Sequence, residues 1–123
     1  MLSLPPAVRL FVSRDAVDMR KAFDGLAALV RDGMREDPLS GHLFVFFNRR
    51  KDRVKILWWD RSGFLLLCKR LEAGRFTLPS DAASTRAEGA PLQMTSAELA
   101  LVLEGLDLRG ARRATRYCRN DDA

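Results

Sequence analysis

The sequence has few residues that could carry catalysis or hold a metal. His42 is the only histidine, and Cys68 and Cys118 are the only cysteines among 123 residues. A single histidine and two isolated cysteines form neither a metal-ligand pattern nor a disulfide framework, so we expect two reduced thiols and no bound metal. The chain also lacks a glycine-rich phosphate loop, and we expect no cofactor. These absences argue against nucleotide hydrolysis and against acid–base catalysis by several histidines.

A carboxylate-based enzyme is the remaining catalytic alternative. Asp18, Asp24, Asp37, Asp60 and Glu72 are dispersed along the chain, and a cluster of such groups could hold the metal ions of a small nuclease. Their sequence contexts favour helix caps, helix surfaces and turns instead. We therefore expect a protein without enzymatic activity.

Long hydrophobic runs are absent as well. The longest uninterrupted apolar stretches, such as 43–47 and 64–68, have five residues each, whereas a membrane-spanning helix needs roughly 20. The first residues show no basic segment followed by a long apolar stretch, which a secretory signal requires. We expect a cytoplasmic protein that makes no contact with a membrane.

Composition and periodicity predict one folded domain of the α+β class. Hydrophobic residues make up 47% and charged residues 30% of the chain, the balance of a globular protein. We expect an antiparallel sheet of about four or five strands with two helices. The domain is expected over 1–108, with a core at 8–79, a linker at 80–90 and a C-terminal strand and helix at 91–108. An arginine-rich tail follows at 109–123.

Hydrophobic spacing places the individual elements. A strand at 8–13 precedes a helix at about 18–35, capped by Asp15 or Asp18, and 37–41 breaks the chain. Strands follow at 43–47, where both faces are apolar, at 53–59 and at 64–69. Asp60 and Gly63 suit the first and fourth positions of a type I turn between the last two, and 75–78 is a further short strand. Thr95 and Glu98 have the spacing of a capping box for a second helix that ends near Gly105.

Positive charge is concentrated in two blocks. Residues 42–79 carry nine bases and three acids, and residues 109–123 carry five bases and two acids. Such blocks are typical of proteins that bind polyanions, although a basic face exposed to solvent has the same appearance. We expect a loose basic tail rather than a packed helix after residue 108, because its arginines have few apolar neighbours.

The first block contains a basic hairpin that we interpret as a nucleic-acid contact. Five cations surround one tight turn at 48–55, and the strand after the turn adds an aromatic residue to its basic face, as single-strand binding platforms do. The alternative is that the tryptophan packs under a helix and the cations are ordinary surface residues. The residues predicted to contact nucleic acid are Arg49, Arg50, Lys51, Arg53, Lys55, Trp59, Lys69, Arg70 and Arg75.

The order of several motifs resembles one family of small proteins. Asp-Met-Arg-Lys-Ala-Phe-Asp-Gly-Leu begins at Asp18, Asp-Pro-Leu-Ser-Gly-His-Leu-Phe begins at Asp37, Asn-Arg-Arg begins at Asn48 and Asp-Arg-Val-Lys-Ile-Leu-Trp-Trp-Asp begins at Asp52. These segments, with those that follow up to Pro79, resemble the accessory protein TnpB encoded by the second open reading frame of insertion sequences of the IS66 type. The resemblance does not extend to the arginine-rich end.

The resemblance implies a role in DNA transposition beside a separate, larger transposase that holds the catalytic residues. It implies no active site in this chain. We expect a non-catalytic accessory protein that contacts the ends of the element through the basic hairpin and helps to assemble the transposase complex. A protein–protein adaptor that docks on the transposase without touching DNA is the main alternative, and a homo-oligomer is compatible with either. The sequence does not indicate the DNA site or the preferred strandedness.

Overall fold

A computed structural model describes residues 8–78 and 91–104 and the backbone of two short strands, 106–107 and 112–113. Five strands form one sheet in the order β4-β3-β2-β1-β5, and β6 and β7 form a separate two-stranded ladder. The fold class, two helices and the number of strands in the main sheet are as predicted. The elements are β1 (Leu10–Val12), α1 (Phe23–Ala28), a π-helical segment that continues it (Leu29–Met34), β2 (Leu43–Phe47), β3 (Arg53–Asp60), β4 (Gly63–Arg70), β5 (Leu92–Met94), α2 (Ser96–Leu103), β6 (Leu106–Asp107) and β7 (Arg112–Arg113).

One strand pair departs from the antiparallel sheet that the sequence predicted. β1 lies parallel to β2, with Leu10 beside Leu43, whereas the other pairs of the sheet are antiparallel. A parallel pair needs a connection long enough to return the chain to the same end of the sheet, and such a connection is usually helical. The chain between β1 and β2 contains α1 and the π-helical segment. The helix expected after the first strand is thus the reason that this pair is parallel.

The central strand β2 is buried on both faces, as its sequence predicted. All five of its residues are buried. On one side its alternate residues pack in a cluster with Leu99 and Val102 of α2, and on the other in a cluster with Leu26 and Val30. We call these sides the α2 face and the α1 face. Since each helix covers one side, the hydrophobic core has two halves separated by the sheet.

The first helix begins five residues later than expected. Its N-cap is Ala22, which provides no side-chain hydrogen bond, so the predicted cap at Asp15 or Asp18 is wrong. The Asp18 carboxylate instead accepts hydrogen bonds from the backbone N–H of Arg20 at 2.9 Å and from its guanidinium, where the shortest contact is 2.6 Å. Aspartate competes for nearby backbone amides in this way, which favours a turn over a helix.

The turn formed by Asp18 and Arg20 is attached to the sheet by a lysine. The Lys55 ammonium on β3 donates hydrogen bonds to the backbone carbonyls of Met19 and Lys21, both at 2.7 Å. Two carbonyl acceptors are aimed at one charged donor, and such hydrogen bonds are stronger than those between neutral groups. Lys55 therefore holds the segment that leads into α1 against the middle of β3.

Three local expectations have mixed outcomes. The capping box is confirmed, because Thr95 accepts from the N–H of Glu98 and Glu98 accepts from the N–H of Thr95. The turn between β3 and β4 is not of type I, since Arg61 has φ 58°, in the left-handed region. The expected strand at 75–78 is also wrong, because the described chain has no strand between β4 and β5.

Parts of the predicted organisation lie outside the described residues. These are the linker at 80–90 and most of the arginine-rich tail. Within the tail the structure describes only the backbone of β7, which pairs antiparallel with β6. The predicted domain boundaries remain predictions.

We predict that Lys55→Met destabilises the protein by about 1–3 kcal/mol, because two carbonyls lose a charged donor. Arg53→Met is the matched control, since Arg53 lies two residues away on the same face of β3 and is exposed. It should leave the free energy of unfolding unchanged or raise it slightly, because it removes one of two like charges on opposite strands. Urea denaturation of both variants measures the difference. Equal stabilities of the two variants would show that the lysine does not hold the turn.

We also predict an acid-sensitive contribution from Asp18. Hydrogen bonds from the Arg20 side chain are the main reason that its pKa falls from 3.8 to about 2. Because the folded state binds this proton less readily than the unfolded state, the stabilisation is present above pH 3.8 and is lost as the pH falls towards 2.

The test compares Asp18→Asn with the wild type. The variant should be less stable at neutral pH, and its thermal midpoint should decline less steeply through this acid range. Asp32→Asn is the control, because its carboxylate makes only a looser contact of 3.6 Å with exposed Arg31. Parallel acid profiles for Asp18→Asn and the wild type would contradict the prediction.

Candidate nucleic-acid interface

The basic hairpin is a structured turn whose shape depends on Asn48. The Asn48 side-chain oxygen accepts hydrogen bonds from the backbone N–H groups of Asp52 and Arg53, at 3.1 and 3.0 Å, and its amide donates to the Asp52 carboxylate at 2.6 Å. The N–H of Lys51 donates to the Asn48 carbonyl, and Lys51 adopts φ 59°. One asparagine thereby joins both sides of the turn. Arg49 and Arg50 lie between its contacts and are exposed.

The chain after β4 packs on this turn and adds one further cation to it. The N–H of Leu71 donates to the Asp52 carbonyl and that of Phe76 donates to the Lys51 carbonyl, both at 2.7 Å. The Phe76 ring is buried and meets Phe47 edge to face, with ring centroids 5.5 Å apart. Arg75 is exposed beside this anchor. The loop at 71–78 thus lies against the turn at the end of β2.

Two arginines face each other on neighbouring strands at the same end of the sheet. Arg53 on β3 is directly opposite Arg70 on β4, so both side chains lie on the α1 face. Like charges in this position destabilise a sheet. Arg70 is partly compensated by Glu72 at 2.9 Å, but both side chains of this ion pair are about half exposed, and such pairs contribute little.

The other cations of the turn have no comparable compensation. Among residues 8–78 and 91–104, no carboxylate lies within ion-pair distance of Arg49, Arg50, Lys51 or Arg53. The pKa of the Asp52 carboxyl is lowered, mainly by the hydrogen bond from Asn48. The positive charges of Arg50 and Arg53 lower it further. The negative charge of Asp52 offsets part of the positive charge of the turn, but six cations surround it. The end of the sheet therefore presents a cluster of positive charge, which we call the basic end: Arg49, Arg50, Lys51, Arg53, Arg70 and Arg75.

A shallow groove opens beside the basic end. It has a volume of about 420 Å³, and its lining includes Arg53, Lys55 and Arg70 as well as Cys68. Cys68 is exposed and makes no disulfide. The guanidiniums are positioned at the wall of a space large enough for a phosphate group, with no described carboxylate other than Glu72 in the lining.

Two of the predicted contact residues use their ammonium groups within the protein. Lys55 holds the turn at Met19 and Lys21, as described above. Lys69 donates to the carbonyl of Leu103 at 2.6 Å, and its place in β4 directs it to the α2 face, away from Arg70. Both lysines therefore have structural contacts that the charge pattern alone does not reveal.

Trp59 lies away from the basic end. It shares the α1 face with Arg53, as predicted, but it is six residues further along β3, a distance of roughly 20 Å. Its ring is half-buried and meets Phe64 edge to face, with centroids 5.0 Å apart. Stacking of Trp59 on a nucleic-acid base is an expectation from the sequence, and a Trp59→Ala variant tests it. The structure does not bring this ring together with the cation cluster.

Sequence reasoning missed the two residues that build the basic end. In the sequence Asn48 stands out only as part of the Asn-Arg-Arg motif, although asparagine before a tight turn commonly bonds the backbone two or more residues ahead. Phe76 falls in the predicted strand at 75–78, and no sequence signal marks it as the anchor of the loop. A single aromatic residue between polar neighbours does not show which surface it will cover.

The remaining catalytic candidates have other surroundings. Nδ1 of His42 accepts a hydrogen bond from the backbone N–H of Arg9 at 2.9 Å, and its ring meets Phe11 edge to face. Within the described ranges no three His, Cys, Asp or Glu side chains gather closely enough to hold a metal ion. In the same ranges no helix is sufficiently long and apolar to cross a membrane.

Comparison with known proteins identifies relatives over nearly the whole chain. The model of the family described as IS66 Orf2 like protein matches residues 8–113. Two proteins of Sinorhizobium fredii (strain NBRC 101917 / NGR234) are similar in sequence, and both are described as uncharacterized. Protein y4hO is 38% identical over 109 residues, which cover 89% of this chain and 90% of the relative. Protein y4jC is 34% identical over 113 residues, which cover 92% of each. No solved structure matches the chain.

The family match includes the strands and turns that form the basic end. It also extends past β5 and α2 to β7, further than the motifs of the first 79 residues. The chain belongs to the IS66 Orf2-like family.

Proposed function

We propose that this protein is a non-catalytic accessory factor of DNA transposition and that the basic end contacts the DNA of the element. Family membership supports the role in transposition. The basic end supports the DNA contact, because phosphate groups are the abundant anions that such a cluster fits. In this role the protein helps a separate transposase to assemble on the element ends, and the chemical steps belong to the transposase.

The observation that carries the DNA contact is the opposed pair of arginines beside three cations that form no ion pair with the described residues. Arg53 and Arg70 repel each other across two strands, and Arg49 and Arg50 stand exposed at the turn. An anion bound between Arg53 and Arg70 would relieve this repulsion, whereas burial of the two side chains in the core would not. Phosphate contacts of this kind hold DNA without reading its bases.

Positioning of the cations supports the same interpretation. Asn48 fixes the turn from within, and Phe76 fixes the adjoining loop, so the arginine backbones need little ordering when a ligand binds. A preorganised site loses less conformational entropy on binding than a disordered basic segment does.

We predict that Arg49→Ala/Arg50→Ala flattens the slope of log affinity against log salt by up to about 2 on duplex DNA, because each lost phosphate contact changes the slope by about 0.9. The affinity should fall to a similar extent for a duplex with the element end and for an unrelated duplex of equal length. Fluorescence anisotropy titrations at several salt concentrations measure both quantities.

The matched control is Arg9→Ala/Arg31→Ala. Arg9 precedes β1 at the opposite end of the sheet and Arg31 lies on the π-helical segment, so the net charge changes equally while the basic end stays intact. The control should retain most of the salt slope. Equal slopes for the wild type and a folded Arg49/Arg50 variant would show that the basic end does not contact DNA. Retained transposase binding in that case would favour the protein adaptor instead.

We predict that Trp59→Ala lowers stability and leaves DNA binding unchanged. Loss of the half-buried ring and its contact with Phe64 should cost about 2 kcal/mol. Trp59→Phe should restore most of that loss. Thermal melts and single-strand binding titrations below the melting range separate the two effects. A folded Trp59→Ala variant of wild-type stability that binds single strands more weakly would show that the ring stacks on bases.

A further inference from the structure

The outer edge of β4 is open. This strand ends the order of the five-stranded sheet, and on its far side no strand pairs with it in the described parts of the chain. It has eight residues in unbroken register with β3, without a bulge or a proline. Natural edge strands are usually short, bulged or interrupted by charge, because a regular edge offers free N–H and C=O groups to another strand. The charges of β4 are confined to its last two residues, Lys69 and Arg70.

The middle of this edge is apolar on both faces. Leu65 and Leu67 lie on the α2 face with 40% and 54% of their surface exposed. Leu66 is half-buried on the α1 face, between Phe64 and exposed Cys68. Exposed leucines side by side on an open strand lose water-accessible apolar area when a further strand pairs with it.

We infer that β4 pairs antiparallel with β4 of a second copy of this chain, so that two five-stranded sheets join about a two-fold axis at Leu66. An isologous contact places the same surface on itself. Opposite residues of antiparallel strands share a face, so Leu66 meets its own equivalent and Leu65 meets Leu67 of the second copy.

The sequence of β4 suits this self-pairing. Reversed on itself about Leu66, the segment 64–68 places an apolar residue or the cysteine opposite another at every position. The charged ends of β4 contribute little to this pairing. Lys69 and Arg70 of one copy come to lie beside the turn of the other, which carries one acid, Asp60, and one base, Arg61. A parallel arrangement would instead place the two pairs of cations next to each other.

A pair of β4 strands buries a modest surface area, so we expect the association to be reversible. Contacts restricted to one strand pair bury less than the surface of a standard stable interface. The protein should therefore dimerise with rising concentration rather than form a permanent dimer. Sedimentation velocity of the full chain over a concentration series measures this equilibrium directly.

Charge reversal across the axis tests both the partner and the register. In Leu65→Lys/Leu67→Lys, each lysine faces a lysine of the second copy, so the dissociation constant should rise by at least about tenfold. In Leu65→Glu/Leu67→Lys, each glutamate faces a lysine, and dimerisation should persist. Leu39→Lys/Gln93→Lys is the control for added charge, because both positions are exposed and neither is on β4. It should behave as the wild type does. Circular dichroism melts establish that each variant is folded.

Three results would overturn the inference. The first is a wild-type protein that stays monomeric at every concentration. The second is equal weakening by the lysine pair and the glutamate–lysine pair, which would exclude antiparallel self-pairing in this register. The third is a monomer whose binding to purified transposase is lost in Leu65→Lys/Leu67→Lys, which would assign the edge to a strand of that protein instead.

Discussion

The burial of β2 on both faces is the constraint on which the rest of the structure depends. Five consecutive apolar residues cannot face water on either side, so the chain must supply two separate covers. α1 and the π-helical segment cover one side and α2 covers the other. The parallel pairing of β1 with β2 follows from the position of the first cover. Because both faces of the sheet are covered near its centre, its ends and its outer edge are the surfaces that could bind partners.

The same strand face uses cations in two different ways. Lys55 and Arg53 are separated by one residue on β3, yet Lys55 is directed to two backbone carbonyls while Arg53 faces Arg70. The difference is position, because the segment before α1 reaches over the middle of β3 and not over its beginning. Lys55 lies beneath that segment and stabilises the fold. Arg53 lies beyond it and is repelled by Arg70, which is consistent with a role that requires an anionic ligand.

Features encoded by neighbouring residues could be predicted from the sequence. The double burial of β2 follows from its composition, and the capping box at Thr95 and Glu98 follows from spacing. Both depend on interactions within a few residues. The hairpin was predictable for the same reason, since its strands and turn are adjacent in the chain.

Features that depend on distant contacts could not be predicted in this way. The start of α1 was misplaced because Asp18 bonds Arg20 and the resulting turn is held by Lys55, more than 30 residues away. The segment at 75–78 has the composition of a strand, but its Phe76 N–H is taken by the Lys51 carbonyl. The family resemblance gave the expected role in transposition. It did not show which of the nine predicted contact residues share one surface.

The basic end and the outer edge of β4 place compatible demands on the molecule. Antiparallel pairing keeps the α1 faces of two copies on the same side and directs their basic ends in opposite directions. Eight residues of strand span about 26 Å, so clusters of like charge are kept well beyond a Debye length at physiological salt. Parallel pairing would bring the clusters together and add repulsion to the cost already present between Arg53 and Arg70. The direction of pairing that the leucines favour is therefore also the direction that keeps the two basic ends apart.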